Sequence, residues 1–265
     1  MMKNKNRLYL LSLIPLTALL AALHTAALLT AYDPEVGYFE STPLVLVMRI
    51  LYIVGAAWCV ALPFALPKGT PYAQAYAIPH NAIRYSAAAL FIFSGIVGLA
   101  KSLGTANLST PSTSAILPIL SILTALASAF FFAQPKDAKK PSAVHASCGF
   151  LVLAFLFCFL FHVYFDMYVT INSPLKTMLQ LSVLSAMLFT LFEIRHSLGK
   201  PMPRIAIAPR LLCVLFCIPT AIAHLCFGAS ALCGTLERTV ISPTLSLPLL
   251  ALGIFALSEL IFHKE

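Results

Sequence analysis

Ionisable side chains are scarce in the apolar stretches of this chain, so each is a candidate for chemistry: Arg49, His24, His162, His224, Asp166 and Glu259. Such groups are costly in hydrocarbon and mark sites unless a bland reason explains them. His162 and Asp166 stand four residues apart, on one face of a helix. A carboxylate that accepts from an imidazole fixes its tautomer and raises its basicity, which suits acid–base work and substrate binding. The plainer reading is that Asp166 marks a water interface, as Asp33 does. Arg49 stands about six residues inside its apolar run, or ~9 Å at helical rise. Its stem can snorkel to headgroups. It can also pair with Asp166, Asp33 or Glu40 across a vestibule, or hold an anionic substrate. Arg49, Asp166, His162 and His24 are the candidate substrate-binding set.

His24, His162 and His224 fall at similar depth in three different runs. Three such histidines raise metal or haem ligation and proton relay. No two share a run, so no local ligand spacing such as HxxxH supports that chemistry. Neutral imidazoles bonded to backbone or hydroxyl groups explain them as well, and no metal and no cofactor are assigned. A cofactor site would bring at least two of the three within ~5 Å of a common point, given ligand distances of ~2.0–2.1 Å. Cys213, Cys217 and His224 share a helix face at spacings of four and seven. Cys213 and His224 are ~16 Å apart along the axis, too far for one ion, so apolar packing of free thiols is the expectation. Glu259 is a candidate coupling carboxylate for a proton-driven carrier. Alternatively it reaches the interface or pairs with a basic loop residue.

The elements that position these groups follow from composition. Of 265 residues, 60% are hydrophobic and 10% charged, and the mean hydropathy is +0.92. Soluble domains carry ~25% charged residues, so the chain belongs in a bilayer. Eight apolar segments recur at about 8–31, 43–66, 85–104, 115–133, 146–168, 175–195, 210–231 and 244–262. Each approaches the ~20 residues that cross a ~30 Å hydrocarbon layer. The first follows Lys3, Lys5 and Arg7 but is longer than a signal-peptide core of ~7–15 residues, so it reads as a retained helix. The expected fold is an all-α, polytopic bundle of eight transmembrane helices. It divides into residues 1–133, a polar cytoplasmic linker at 134–144, and 145–265.

Orientation follows from the basic residues. With both termini cytoplasmic, thirteen of the seventeen lysines and arginines lie on the cytoplasmic side. Lys101, Lys176 and Arg238 lie outside, and Arg49 lies within a span. The formal charge of +8 therefore reports insertion into a bacterial cytoplasmic membrane and no nucleic-acid partner. A faint repeat supports two halves. Leu66–Pro71 and Leu198–Pro203 both read L-x-K-x-x-P, 132 residues apart, and Asp33 and Asp166 are 133 apart. Even-numbered halves would insert in the same sense, as parallel repeats.

No GxxxxGK[ST] phosphate loop, HExxH or GxSxG occurs. The seven cysteines form no CxxC, and an odd count gives no disulfide framework. The leading expectation is a small permease or membrane-embedded transport component in contact with lipid, not an enzyme. The alternatives are a non-catalytic sensor or assembly partner that docks proteins through cytoplasmic loops such as Arg195 to Arg210, and an intramembrane enzyme or cofactor carrier that uses the histidines.

Overall fold

A computed structural model describes residues 12–33, 36–65, 81–105, 143–165, 173–200, 204–229 and 243–261, with the single residues 122 and 202. Seven helices lie among them: α1 Leu13–Thr30, α2 Pro43–Ala65, α3 Asn81–Thr105, α4 Ala143–Phe165, α5 Pro174–Ser197, α6 Ile207–Ala229 and α7 Pro243–Ile261. They match seven of the eight expected spans. The segment at 115–133 lies outside the described residues apart from residue 122, as does the linker up to residue 142. Five of the helices, α1, α2, α4, α5 and α6, are long and apolar enough to cross a membrane. These apolar helices fit a multi-pass membrane protein.

Local chemistry sets the ends of the helices. Proline opens α2, α5 and α7, where its missing N–H has no helical partner to lose. Gly199 stops α5 by turning to φ 72°, and its N–H bonds His196 O at 2.9 Å. Between α1 and α2 a short antiparallel hairpin pairs β1 Tyr32–Asp33 with β2 Tyr38–Phe39. Its turn closes through Gly37 at φ 76°, whose N–H bonds Asp33 O at 2.8 Å. Ser173 Oγ, just before α5, donates to Gly37 O at 2.7 Å and pins the hairpin across the bundle.

The core is arranged around α6, which packs against α7, α1, α5 and α2. α4 lies on α5, and α3 lies on α7. Helices from both sides of the linker therefore interleave. The expected repeat makes α3 and α6 counterparts; among the described residues α6 touches four helices, while α3 rests mainly on α7. Two glycines allow close approach. A Cβ on Gly253 of α7 would lie 2.7 Å from Ile218 Cγ1 and 3.3 Å from the Ile218 backbone nitrogen on α6. A Cβ on Gly55 of α2 would meet the side chains of Leu215 and Leu16 at 3.1–3.3 Å.

The outward faces are apolar. α2 exposes Leu46, Ile50, Ile53, Val54, Trp58 and Phe64; α4 exposes Phe150, Phe157, Phe161 and Phe165. Exposed apolar surface on this scale marks contact with lipid or another apolar partner.

Candidate functional site

Five residues of α6 fall at alternating spacings of three and four: Arg210, Cys213, Cys217, Thr220 and His224. That spacing lays them along one face of the helix. All five are buried. They span fifteen residues, roughly 21 Å of helix, and so form a polar stripe through an otherwise apolar core.

At the end of the bundle opposite the hairpin, Arg210 joins two carboxylates from two other helices. Its Nη2 donates to Glu193 Oε1 of α5 at 2.7 Å, and its Nε donates to Glu259 Oε2 of α7 at 2.7 Å. The side chains of Arg210, Glu193 and Glu259 are 7%, 0% and 1% exposed. A guanidinium offers donors in a fixed fork, which suits it to hold two acceptors at once. Attraction between buried charges is strong because the surroundings are of low dielectric, and the same surroundings make each lost partner costly.

The middle of the stripe is built from thiols and hydroxyls. Cys213 Sγ donates to Cys217 Sγ at 3.7 Å, and Cys217 Sγ donates to Ser182 O of α5 at 3.2 Å. Ser185 Oγ lies 3.5 Å from Cys217 Sγ. Ser182 Oγ is within reach of Met178 O at 2.8 Å, Phe216 O at 3.1 Å and Thr220 Oγ1 at 3.0 Å. A hydroxyl has one proton to give and two lone pairs. Pro219 lies inside α6 and removes one helical N–H near these carbonyls.

Toward the hairpin end the stripe meets two histidines. The Tyr52 hydroxyl of α2 lies 3.0 Å from His24 Nδ1 on α1. The Tyr52 ring stacks on Phe216 at 5.6 Å. His224 Nδ1 lies 3.3 Å from Ser246 Oγ of α7. The His24 and His224 rings face one another edge to face, with centroids 6.3 Å apart. Both rings are wholly buried, and neither Nε2 has a hydrogen-bond partner among the described residues. Polar contacts thus follow α6 from Thr220 through Ser182 and Cys217 to Cys213, one turn from Arg210.

The expected site residues are partly gathered here. His24 and His224 approach one another as a cofactor site requires. His162, half-buried near the end of α4, makes no ring contact with either among the described residues. Arg49 is exposed on α2 beside Leu46, Ile50 and Ile53, on the lipid-facing side. Asp166 lies outside the described residues. Glu259 is buried, and Arg210 is its ionic partner. Glu193, Tyr52, Ser182 and Thr220 were not singled out by sequence reasoning. The three-and-four alternation of Arg, Cys, Cys, Thr and His along one span is the signal that finds the stripe.

Comparison with known protein families, with curated proteins and with solved structures finds no match.

Proposed function

We propose that the protein is a small permease or membrane-embedded transport component of a bacterial cytoplasmic membrane, in which the stripe on α6 handles charge during transport. In this reading it has eight spans in two related halves, with both termini cytoplasmic. The Arg210–Glu193–Glu259 cluster then lies toward the cytoplasm and the histidine pair toward the outside. The observation that carries the reading is the cluster itself. One guanidinium links α5, α6 and α7 through two buried carboxylates, so a proton arriving on either carboxylate weakens one link and leaves the other. That is the behaviour asked of a coupling site, in which proton binding biases the packing of helices.

The loop-docking alternative draws less support. Of the cations between Arg195 and Arg210, Arg210 is committed to the cluster. Arg204 donates to Pro63 O at 2.7 Å and Phe64 O at 2.9 Å, closing the end of α2.

The test is a charge measurement. Purified protein in liposomes on a solid-supported membrane receives steps of pH. A transient current that is lost in E259Q and E193Q supports the reading. Currents from the natural protein that match those of protein-free liposomes or of E259Q overturn it.

A further inference from the structure

Arg49 is a cation that the interior leaves out. Arg210 holds two carboxylates and Arg204 two carbonyls. Arg49 stands exposed on α2, six residues past Pro43 and roughly 9 Å from the start of the helix. Its side chain forms no hydrogen bond or ion pair among the described residues, and Asp33 and Glu40, the acids beside the hairpin, are not bonded to it. A charged head left bare in hydrocarbon is costly. The long stem lets that head rise toward the headgroup layer at the hairpin end, where an anion can meet it.

The surface below Arg49 narrows the choice of anion. Ile53, Ala56 and Val60 follow it at spacings of four, three and four, which continue one face of the helix. Ile53 and Val60 are exposed, and Ala56 is half-buried between them. The strip from Arg49 to Val60 is roughly 16 Å long. One charge above and apolar groups beneath match a phospholipid, which has a phosphate above a chain. Guanidinium donors take two phosphate oxygens at once. A zwitterionic headgroup brings its own cation to that phosphate, and an anionic headgroup does not. Exposed residues continue round α2 to Trp58 on the opposite flank, nine residues and about two and a half turns from Arg49. So broad an apolar surface suits a shell of lipid better than one packed span. A second copy on a two-fold axis through this face would set two Arg49 side chains at one depth, like charge against like.

We propose that Arg49, Ile53, Ala56 and Val60 hold an anionic phospholipid, with its phosphate on the guanidinium and one acyl chain along α2. The site selects lipids by headgroup charge at the hairpin end of the bundle.

The test is tryptophan fluorescence of the full-length protein in vesicles, quenched by lipids with brominated chains. Trp58 is the only tryptophan in the chain, so I53W/W58F moves the reporter to the strip below Arg49, and both positions are exposed. With that reporter, brominated phosphatidylglycerol should quench as though bound about fivefold more tightly than brominated phosphatidylcholine, the effect of one basic residue at an anionic headgroup. Adding R49Q should bring the two lipids level while the circular dichroism of the helices stays unchanged. The natural Trp58, on the far flank, should show no preference. V60W/W58F sets the reporter lower on the strip and carries the same test if the first variant fails to fold. The proposal is overturned if the reporter on the strip shows no preference, if R49Q leaves the preference in place, or if Trp58 shows the same preference. It is also overturned if excess inorganic phosphate abolishes the preference, which would make this a site for free phosphate. Quenching that is weak with both lipids and rises as the protein is diluted in lipid would put a second copy on this face, and overturns it too. Lipid binding is read without a proton gradient, so this proposal and the transport reading can fail separately.

Discussion

Arg210 and Glu259 are 49 residues apart in the chain and meet through Nε and Oε2 at 2.7 Å in the interior of the bundle. The contact fastens α7 to α6, and the Nη2 contact with Glu193 fastens α5 to the same residue. Arginine at this point closes three helices together with one side chain.

Replacing Arg210 by methionine leaves Glu193 and Glu259 buried without the guanidinium. A loss of about 3–5 kcal/mol in stability is expected, the usual cost of breaking a buried pair from one side. The triple variant R210M/E193Q/E259Q should recover most of that loss, because no buried charge is stranded. Unfolding in mixed micelles with increasing SDS measures both. Equal stability of R210M and the natural protein would show that the cluster carries no net energy.

Gly253 should tolerate no side chain while Ile218 stays in place. Its Cβ would sit 2.7 Å from Ile218 Cγ1 and 3.3 Å from the Ile218 nitrogen. G253A is expected to cost about 1–3 kcal/mol, the range for overpacking a core. Adding I218A removes the nearer obstacle and should return part of the loss. The same SDS titration reads it, and additive losses in the double variant would argue against the contact.

Arg204 and Arg49 should behave oppositely despite both being arginines near helix ends. R204A frees the carbonyls of Pro63 and Phe64 and should cost about 1–3 kcal/mol, as hydrogen bonds from a charged donor do. R49L replaces an exposed lipid-facing cation and should change stability by less than about 0.5 kcal/mol. Comparing the two SDS midpoints decides; a larger loss in R49L would restore Arg49 to the interior.

Cysteine reactivity should sort by position. Cys226 is exposed, whereas Cys59, Cys213 and Cys217 are buried. A membrane-permeant maleimide should label Cys226 in the folded protein and reach the other three only after denaturation. Mass spectrometry of peptides reads the order, and rapid labelling of Cys217 would mean that the stripe opens to small molecules.

The sequence reveals the helices because each is an apolar run that composition alone separates from its hinges. Seven of the eight expected runs are helices close to the anticipated bounds. Glu259 stood out as an acid in an apolar run, and pairing with a basic residue was one of its two plain readings. Its partner was harder to see. Arg210 sits at the very start of its run, where counting assigns it to a loop, and only the packing of α6 between α5 and α7 draws it inside. Tyr52, Ser182 and Thr220 were invisible for a different reason. Hydroxyl-bearing residues are ordinary in membrane helices, and their role comes from neighbours on other helices, which spacing within one helix does not report. Arg49 shows the reverse. Its depth suggested a partner, but its helix face turns it toward Leu46, Ile50 and Ile53.

The position of α6 also has a consequence for biogenesis. The helix that packs against four others is the last but one of the described helices to leave the ribosome. Until it arrives, His24 on α1 lacks His224 and Tyr52 on α2 lacks Phe216, and the Pro63 and Phe64 carbonyls wait some 140 residues for Arg204. Newly inserted α1 and α2 must therefore be sheltered, by the insertion machinery or by each other, until α6 is made. Ribosome-stalled intermediates that end before Ile207 are expected to be prime substrates for membrane quality-control proteases.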